Sequence, residues 1–137
     1  MEQTGKDRVS QQEGFGCAAC RILPCDDSSL DTAAKDLAER HWPGALTMVL
    51  GDEGFRVPAH DWTRRLLAKC GGVLRVTSAN LSGCRPATDA PQALADVGLS
   101  ADMVLDDGVS PGGVASTVLR ISADGTFEVL RKGAVEI

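Results

Sequence analysis

The sequence predicts an α/β fold in a single domain, with a mixed sheet, flanking helices and a C-terminal hairpin. Three observations lead there. Apolar runs of strand length alternate with stretches whose apolar residues recur at three and four positions. Glycine and proline punctuate most of the boundaries between them, and Asp124-Gly125 separates two strand-like runs near the end. With 137 residues, 43% of them apolar, the chain can bury one core, and its length asks for no second domain.

The elements follow in order. Residues 1–16 are polar and lack any period, the pattern of a flexible leader, so the domain is expected over 17–137. Leu30, Ala33, Ala34, Leu37, Ala38 and His41 repeat at helical spacing, with Asp31 placed to cap and Pro43-Gly44 to stop the helix. Ala45 to Leu50 reads as a buried strand, Gly51 to Gly54 as a turn, and Phe55 to Val57 as a returning strand ended by Pro58. Asp61 is placed to cap a second helix through Trp62, Leu66, Leu67 and Cys70, with Arg65 spaced to pair with Asp61 and Gly71-Gly72 as the exit. Val73 to Thr77 is the next strand, Pro91 to Val97 a short helix, and Met103 to Asp106 and Ser116 to Ile121 two further strands. Thr126 to Arg131 then pairs back across the Asp124-Gly125 turn, and strands alternating with helices before a final hairpin give the mixed sheet.

Composition narrows the function classes. No run approaches the eighteen or so apolar residues that span a bilayer, and the N terminus lacks the order of a secretion signal, so the expected location is cytoplasmic, away from membranes. The formal net charge of -5 argues against a broadly basic nucleic-acid surface, yet leaves room for a local cluster of arginines around an anion. Five cysteines without an export signal read as free thiols. Cys17-Ala18-Ala19-Cys20, with Cys25 close behind, is the one grouping with metal spacing. A closed zinc site needs a fourth ligand, which only the distant His41, Cys70 or Cys84 would supply, so no metal site is expected. His41 and His60 have no partner at triad spacing and read as surface or capping histidines, Trp42 as core packing, and Asp106-Asp107-Gly108 as a turn.

Arg75-Val76-Thr77-Ser78-Ala79-Asn80-Leu81-Ser82-Gly83 carries the strongest chemical signal. A strand runs straight into hydroxyls, an amide and a glycine, which offer short donors without bulk to an anion. Alone, this segment also fits a plain turn. Its company adds to it: His41-Trp42-Pro43-Gly44-Ala45-Leu46-Thr47 and Arg56-Val57-Pro58 lie upstream. Asp107-Gly108, Ser116-Thr117-Val118 and Arg131-Lys132-Gly133 lie downstream. In this order and spacing the chain resembles the YrdC-type family, the threonylcarbamoyl-AMP synthases. That family carries a W-P-G-P-L-T strand, an R-x-P, an S-x-N loop, a D-G-G followed by S-T-V, and a terminal R-x-G. The resemblance covers roughly residues 30–137 and rests on several separated motifs.

The resemblance implies a twisted open α/β sheet and a reaction that joins L-threonine, bicarbonate and ATP into threonylcarbamoyl-AMP, releasing pyrophosphate, for threonylcarbamoyladenosine in tRNA. ATP would be a substrate, with Mg2+ accompanying it. Ser78 and Asn80 match the S-x-N that holds phosphate, Pro86 a position lining the nucleotide, and Arg131 the arginine of R-x-G at the nucleotide. Arg56, Val76 and Ser116 match positions that contact threonine. No residue is assigned as a catalyst, since such chemistry needs positioning and charge neutralisation more than a protein nucleophile. The family also implies binding to tRNA or double-stranded RNA, which the acidic balance does not independently support.

The largest departure is at the front. Family members begin with a strand and helix carrying P-T-x-T-x-Y-G-L, then a K-x-R pair at the phosphates. This chain has no P-T-x-T, and Lys6-Asp7-Arg8 is its only K-x-R. A shortened front would leave a sheet edge uncovered, hence the expectation of a homodimer. It also keeps two alternatives in view, a noncatalytic nucleotide- or RNA-binding module and an inactive shortened paralogue.

Overall fold

A computed structural model of the chain describes Ala18–Arg21, as backbone, together with residues 32–81, 84–111 and 114–137. The described elements are β1 (Ala18–Arg21), α1 (Thr32–His41), β2 (Leu46–Leu50), β3 (Glu53–Arg56), α2 (Asp61–Lys69), β4 (Val73–Val76), α3 (Ala90–Val97), β5 (Thr117–Ile121) and β6 (Phe127–Arg131). The α/β class, the mixed open sheet and the closing hairpin agree with expectation. The Asp31 cap, the leader, and Cys17 and Cys25 lie outside the described residues.

The six strands form one sheet in the order β4-β1-β3-β2-β5-β6. β1 runs parallel to β3 and antiparallel to β4, while β2 is antiparallel to β3 and parallel to β5. Consequently the C-terminal ends of β3 and β6 and the N-terminal ends of β2 and β5 meet at one end of the sheet. The C-terminal end of β4 lies at the other.

Side chains alternate across a strand, so the register sorts them into two faces. Leu46, Met48 and Leu50 of β2 stand opposite Thr117, Leu119 and Ile121 of β5. On that face Leu46, Met48, Leu119 and Ile121 pack with Ala34 and Leu37 of α1 into the core, flanked by Ala38, Trp42 and Leu50. Each fully buried Leu or Met there contributes on the order of 2 kcal/mol of transfer free energy. Trp42 packs as expected, and its Nε1–H donates to the Leu46 carbonyl at 2.7 Å, so the ring's polar edge is satisfied within the core wall.

Gly44 explains the tight exit from α1. A Cβ there would lie 2.3 Å from the His41 carbonyl oxygen, too close for any other residue. At α2 the capping differs from expectation. His60, not Asp61, is the N-cap, and its side chain accepts from the Thr63 amide. Asp61 sits one residue inside the helix and pairs with Arg64 rather than Arg65, because the i,i+3 neighbour faces it across the first turn. The helix exits as expected through Gly71 and Gly72, both at φ 88°.

Two elements differ from the sequence expectation. β1 was not expected, since four residues, one of them Cys20, carry no period of their own; pairing with both β3 and β4 defines it. Met103 to Asp106 does not form a strand. Met103 is 74% exposed and no described strand lies beside this segment to complete a ladder, so its apolar run stays extended without pairing. At the closing turn, the Asp124 Oδ1 accepts from the Thr126 amide at 3.0 Å and hydroxyl at 2.6 Å, and Gly125 takes φ 81°. Among the described residues, no helix is long and apolar enough to cross a membrane.

Candidate functional site

The face of the sheet turned away from α1 gathers the polar residues. On β2, Thr47 alternates with Leu46 and Met48 and therefore projects opposite the core. Thr47 stands beside Val118 of β5, which in turn stands beside Arg131 of β6. On the other side, Met48 pairs with Phe55, and one step further along this antiparallel pair sets Thr47 opposite Arg56. Arg56, Thr47, Val118 and Arg131 thus form one row across four strands, about 14 Å from the first backbone to the last at ordinary strand spacing.

Ser116 joins this row through hydrogen bonds. Its Oγ lies 2.9 Å from the Thr47 Oγ1, and Arg131 Nη2 donates to it at 3.1 Å. Arg131 also donates from Nε and Nη2 to the Ser116 carbonyl at 3.1 and 3.0 Å. A guanidinium fastened by three hydrogen bonds is pre-oriented, and its Nη1, which makes no hydrogen bond among the described residues, keeps donors that an anion could use. Arg56 contributes a second guanidinium, whose Nε is buried without a hydrogen-bond partner among the described residues. Leaving a buried donor of a charged group unmet is costly, so this atom marks a place where a ligand oxygen would be stabilising.

The C-terminal segment is strapped onto the same end of the sheet. Thr117 is 2% exposed; its hydroxyl donates to the Val135 carbonyl at 2.5 Å and accepts from the Gly133 and Val135 amides, each at 3.1 Å. The Ala134 amide donates to the Ala115 carbonyl at 3.0 Å. At Gly133 a Cβ would lie 2.3 Å from the Ala115 carbonyl oxygen and 2.5 Å from the Thr117 nitrogen. The glycine two residues after Arg131 is thus required by this close backbone approach, which fixes Arg131 over Ser116.

The remaining expected residues are placed differently. Val76 shares the polar face: Ala18 stands beside both Val76 and Gly54, two residues before Arg56. That puts Val76 about 7 Å along the strand direction from the Arg56 row. Beyond it the chain leaves the sheet, so Ser78 and Asn80 lie in a loop starting from the end opposite Arg56, Ser116 and Arg131. Ser78 is exposed. The Asn80 amide donates to the Leu81 and Cys84 carbonyls at 2.9 and 3.0 Å, which closes the loop on itself, while its Oδ1 is buried with no hydrogen-bond partner among the described residues. Pro86 is exposed between this loop and the Asp89 cap of α3. The structure therefore brings together Arg56, Ser116 and Arg131, keeps Val76 on their face, and sets Ser78, Asn80 and Pro86 in a separate loop. Lys6 and Arg8 lie outside the described residues.

Two residues of the site were missed by sequence reasoning, Thr47 and Thr117. For Thr47 the available signal was a polar residue inside an otherwise apolar strand; Thr117 opens its strand directly after Ser116 and had no such signal. Asp106-Asp107-Gly108 forms the expected turn, with the Gly108 amide donating to the Asp106 Oδ1 at 2.9 Å. Asp107 does more, pairing with His60 Nε2 at 2.9 Å and tying that turn to the start of α2.

Comparison with known proteins gives a consistent picture. The family model described as "Sua5_yciO_yrdC: Telomere recombination" matches residues 21–133. A Mycobacterium tuberculosis protein named "Putative threonylcarbamoyl-AMP synthase" is 35% identical, over 78% of this chain and 55% of its own length. The threonylcarbamoyl-AMP synthase of Sodalis glossinidius is 34% identical, over 79% of this chain and 62% of its own. The structure of a P. abyssi Sua5 carrying H234A and Y235A superposes with a TM-score of 0.77 at 25% identity, covering 87% of this chain and 40% of that one. The chain spans about half the length of the curated relatives it matches.

Proposed function

Because this chain belongs to the Sua5/YciO/YrdC family, we propose that it binds ATP and L-threonine on the polar face of its sheet and makes threonylcarbamoyl-AMP. The threonine amine attacks the carbon of carbon dioxide and loses a proton to solvent, or attacks bicarbonate and expels water, to give a carbamate. A carbamate oxygen then attacks the α-phosphorus of ATP, and the bond to pyrophosphate breaks. Charge builds on phosphate and carboxylate oxygens throughout, so fixed cationic donors supply most of what the protein must add.

The observation that carries this reading is the row in which Arg131 is clamped on Ser116 while Arg56 keeps a buried donor without a partner among the described residues. Two guanidiniums on one face of a chain with net charge -5 make a local anion site, matched to a substrate carboxylate and a nucleotide phosphate. Val76 would line the threonine side. Ser78 and Asn80 would take the phosphates from the loop after β4, beside Pro86. Mg2+ would accompany the ATP phosphates, and Asn80 Oδ1, buried without a hydrogen-bond partner among the described residues, is a hard oxygen that would suit it. The adenylate would serve the threonylcarbamoyladenosine modification of tRNA.

The test is direct. The chain is titrated with a nonhydrolysable ATP analogue, with and without L-threonine, and pyrophosphate is assayed with threonine, bicarbonate and ATP together. Expected are analogue binding that tightens with threonine, and pyrophosphate release that requires all three reactants. No analogue binding and no pyrophosphate above a blank would reject the proposal.

A further inference from the structure

We infer that Thr47 is a positioning residue, which fixes the direction of the Ser116 hydroxyl so that its proton is presented to a carboxylate or phosphate oxygen of the ligand. The inference rests on the proposed use of this face and concerns how one hydroxyl is aimed.

The direction follows from donor and acceptor counts. Arg131 has only donors, so Ser116 Oγ must accept from it. The contact between Thr47 Oγ1 and Ser116 Oγ at 2.9 Å allows either atom to donate. If Ser116 donated, the Thr47 proton would need another acceptor, and no further hydrogen bond of its hydroxyl exists among the described residues. Either way one of the two protons goes without an acceptor among the described residues; Thr47 is 5% exposed against 9% for Ser116, so the unmet proton costs less on Ser116. Thr47 therefore donates, and Ser116 accepts from both Thr47 and Arg131.

That arrangement fills both lone pairs of the Ser116 oxygen and leaves its own proton without an acceptor among the described residues. Ser116 is only 9% exposed, so water satisfies that proton poorly. An anionic oxygen seated between the Ser116 hydroxyl and Arg131 would complete the set, and polarisation by Thr47 and the guanidinium makes this hydroxyl a stronger donor. The backbone supports the same role, since Leu46 and Thr47 are held in register with Thr117 and Val118 and the Thr117 amide donates to the Ala45 carbonyl at 3.0 Å.

Thr47→Val keeps shape and removes the donor, Thr47→Ser restores it, and Ser116→Ala removes the aimed hydroxyl. Calorimetry of the full chain is run with L-threonine in the presence of an ATP analogue, with the analogue alone, and with inorganic phosphate; thermal unfolding of each variant accompanies it. Thr47→Val is expected to weaken the ligand held at Ser116 about tenfold, as for one charge-assisted hydrogen bond, with Thr47→Ser within about twofold of the wild type. Thr47→Val binding as well as wild type, or Thr47→Ser failing like Thr47→Val with an unaltered melting temperature, would overturn the inference. If phosphate binds and weakens in Thr47→Val while threonine never binds, Thr47 keeps its role and the threonine reading fails. A wild-type chain that binds none of the three rejects both.

Discussion

The start of β5 and the end of β4 are both junctions where a strand meets a small polar segment, yet they are built on opposite plans. At β5, Ser116 and Thr117 are buried, and they are tied to β2, β6 and the C-terminal strap by side-chain bonds spanning 15 to 69 residues of sequence. At β4, Ser78 is exposed, and among the described residues the side-chain amide of Asn80 donates only to Leu81 and Cys84. One junction is held by the whole sheet. The other holds itself, at a strand that is the edge among the described strands. The lesson is that a substitution at the first should register in stability and binding together, whereas one at the second should register in binding alone.

The largest effect should come from Gly133→Ala. Its methyl group would meet backbone atoms of Ala115, Ser116 and Thr117, none of which yields as a flexible side chain would. The strap would lift away from Ser116, at a cost of about 3 kcal/mol in denaturant unfolding, with ligand binding lost alongside. A variant as stable as wild type would break the contrast at its strongest point. Thr117→Val comes next. It deletes three buried hydrogen bonds and leaves two amides and a carbonyl to find new partners, which should cost about 2 kcal/mol in the same experiment.

Asn80→Ala tests the other side. Its loop bonds are local and solvent-exposed, so unfolding should shift by no more than about 1 kcal/mol, while ATP-analogue affinity falls about tenfold. Parallel losses of stability and affinity there would mean that the two junctions are alike after all.

The smallest effect belongs to a region remote from both. Hydrogen bonds from the Thr126 hydroxyl and amide hold the Asp124 carboxyl below its ordinary pKa of 3.8. A carboxylate with a depressed folded pKa contributes stability above its unfolded value and loses it as pH falls through the folded one. Asp124→Asn should thus be slightly less stable than wild type at neutral pH, with the gap closing below about pH 3.8, as thermal melts across pH would show. A gap that widens on acidification would contradict the turn geometry.

Much of this architecture was legible in the sequence. Helical periods at Leu37 and Leu67, apolar runs at Leu46 to Leu50 and Thr117 to Ile121, and the Asp124-Gly125 turn each state a local preference that the fold keeps. β1 was illegible because its identity comes from neighbours on both sides, and Met103 to Asp106 misled because strand propensity without a pairing partner makes no strand. The choice of His60 over Asp61 as cap depends on where the helix begins, by one residue. In the site, Arg56, Ser116 and Arg131 were readable as separate motifs. Their junction was not, because Thr47 reaches Ser116 across 69 residues and nothing local announces that contact.

The claim at the centre is that Arg131, clamped on Ser116, forms one anion site with Arg56 across the row. Titrating the ATP analogue in the presence of L-threonine into wild type, Arg56→Ala, Arg131→Ala and the double variant measures it most directly. The expected result is at least a tenfold loss for each single variant, and a double variant whose loss differs from the sum of the two in free energy, because the threonine held by one guanidinium and the nucleotide held by the other bind side by side. Unchanged affinity in both single variants would contradict it.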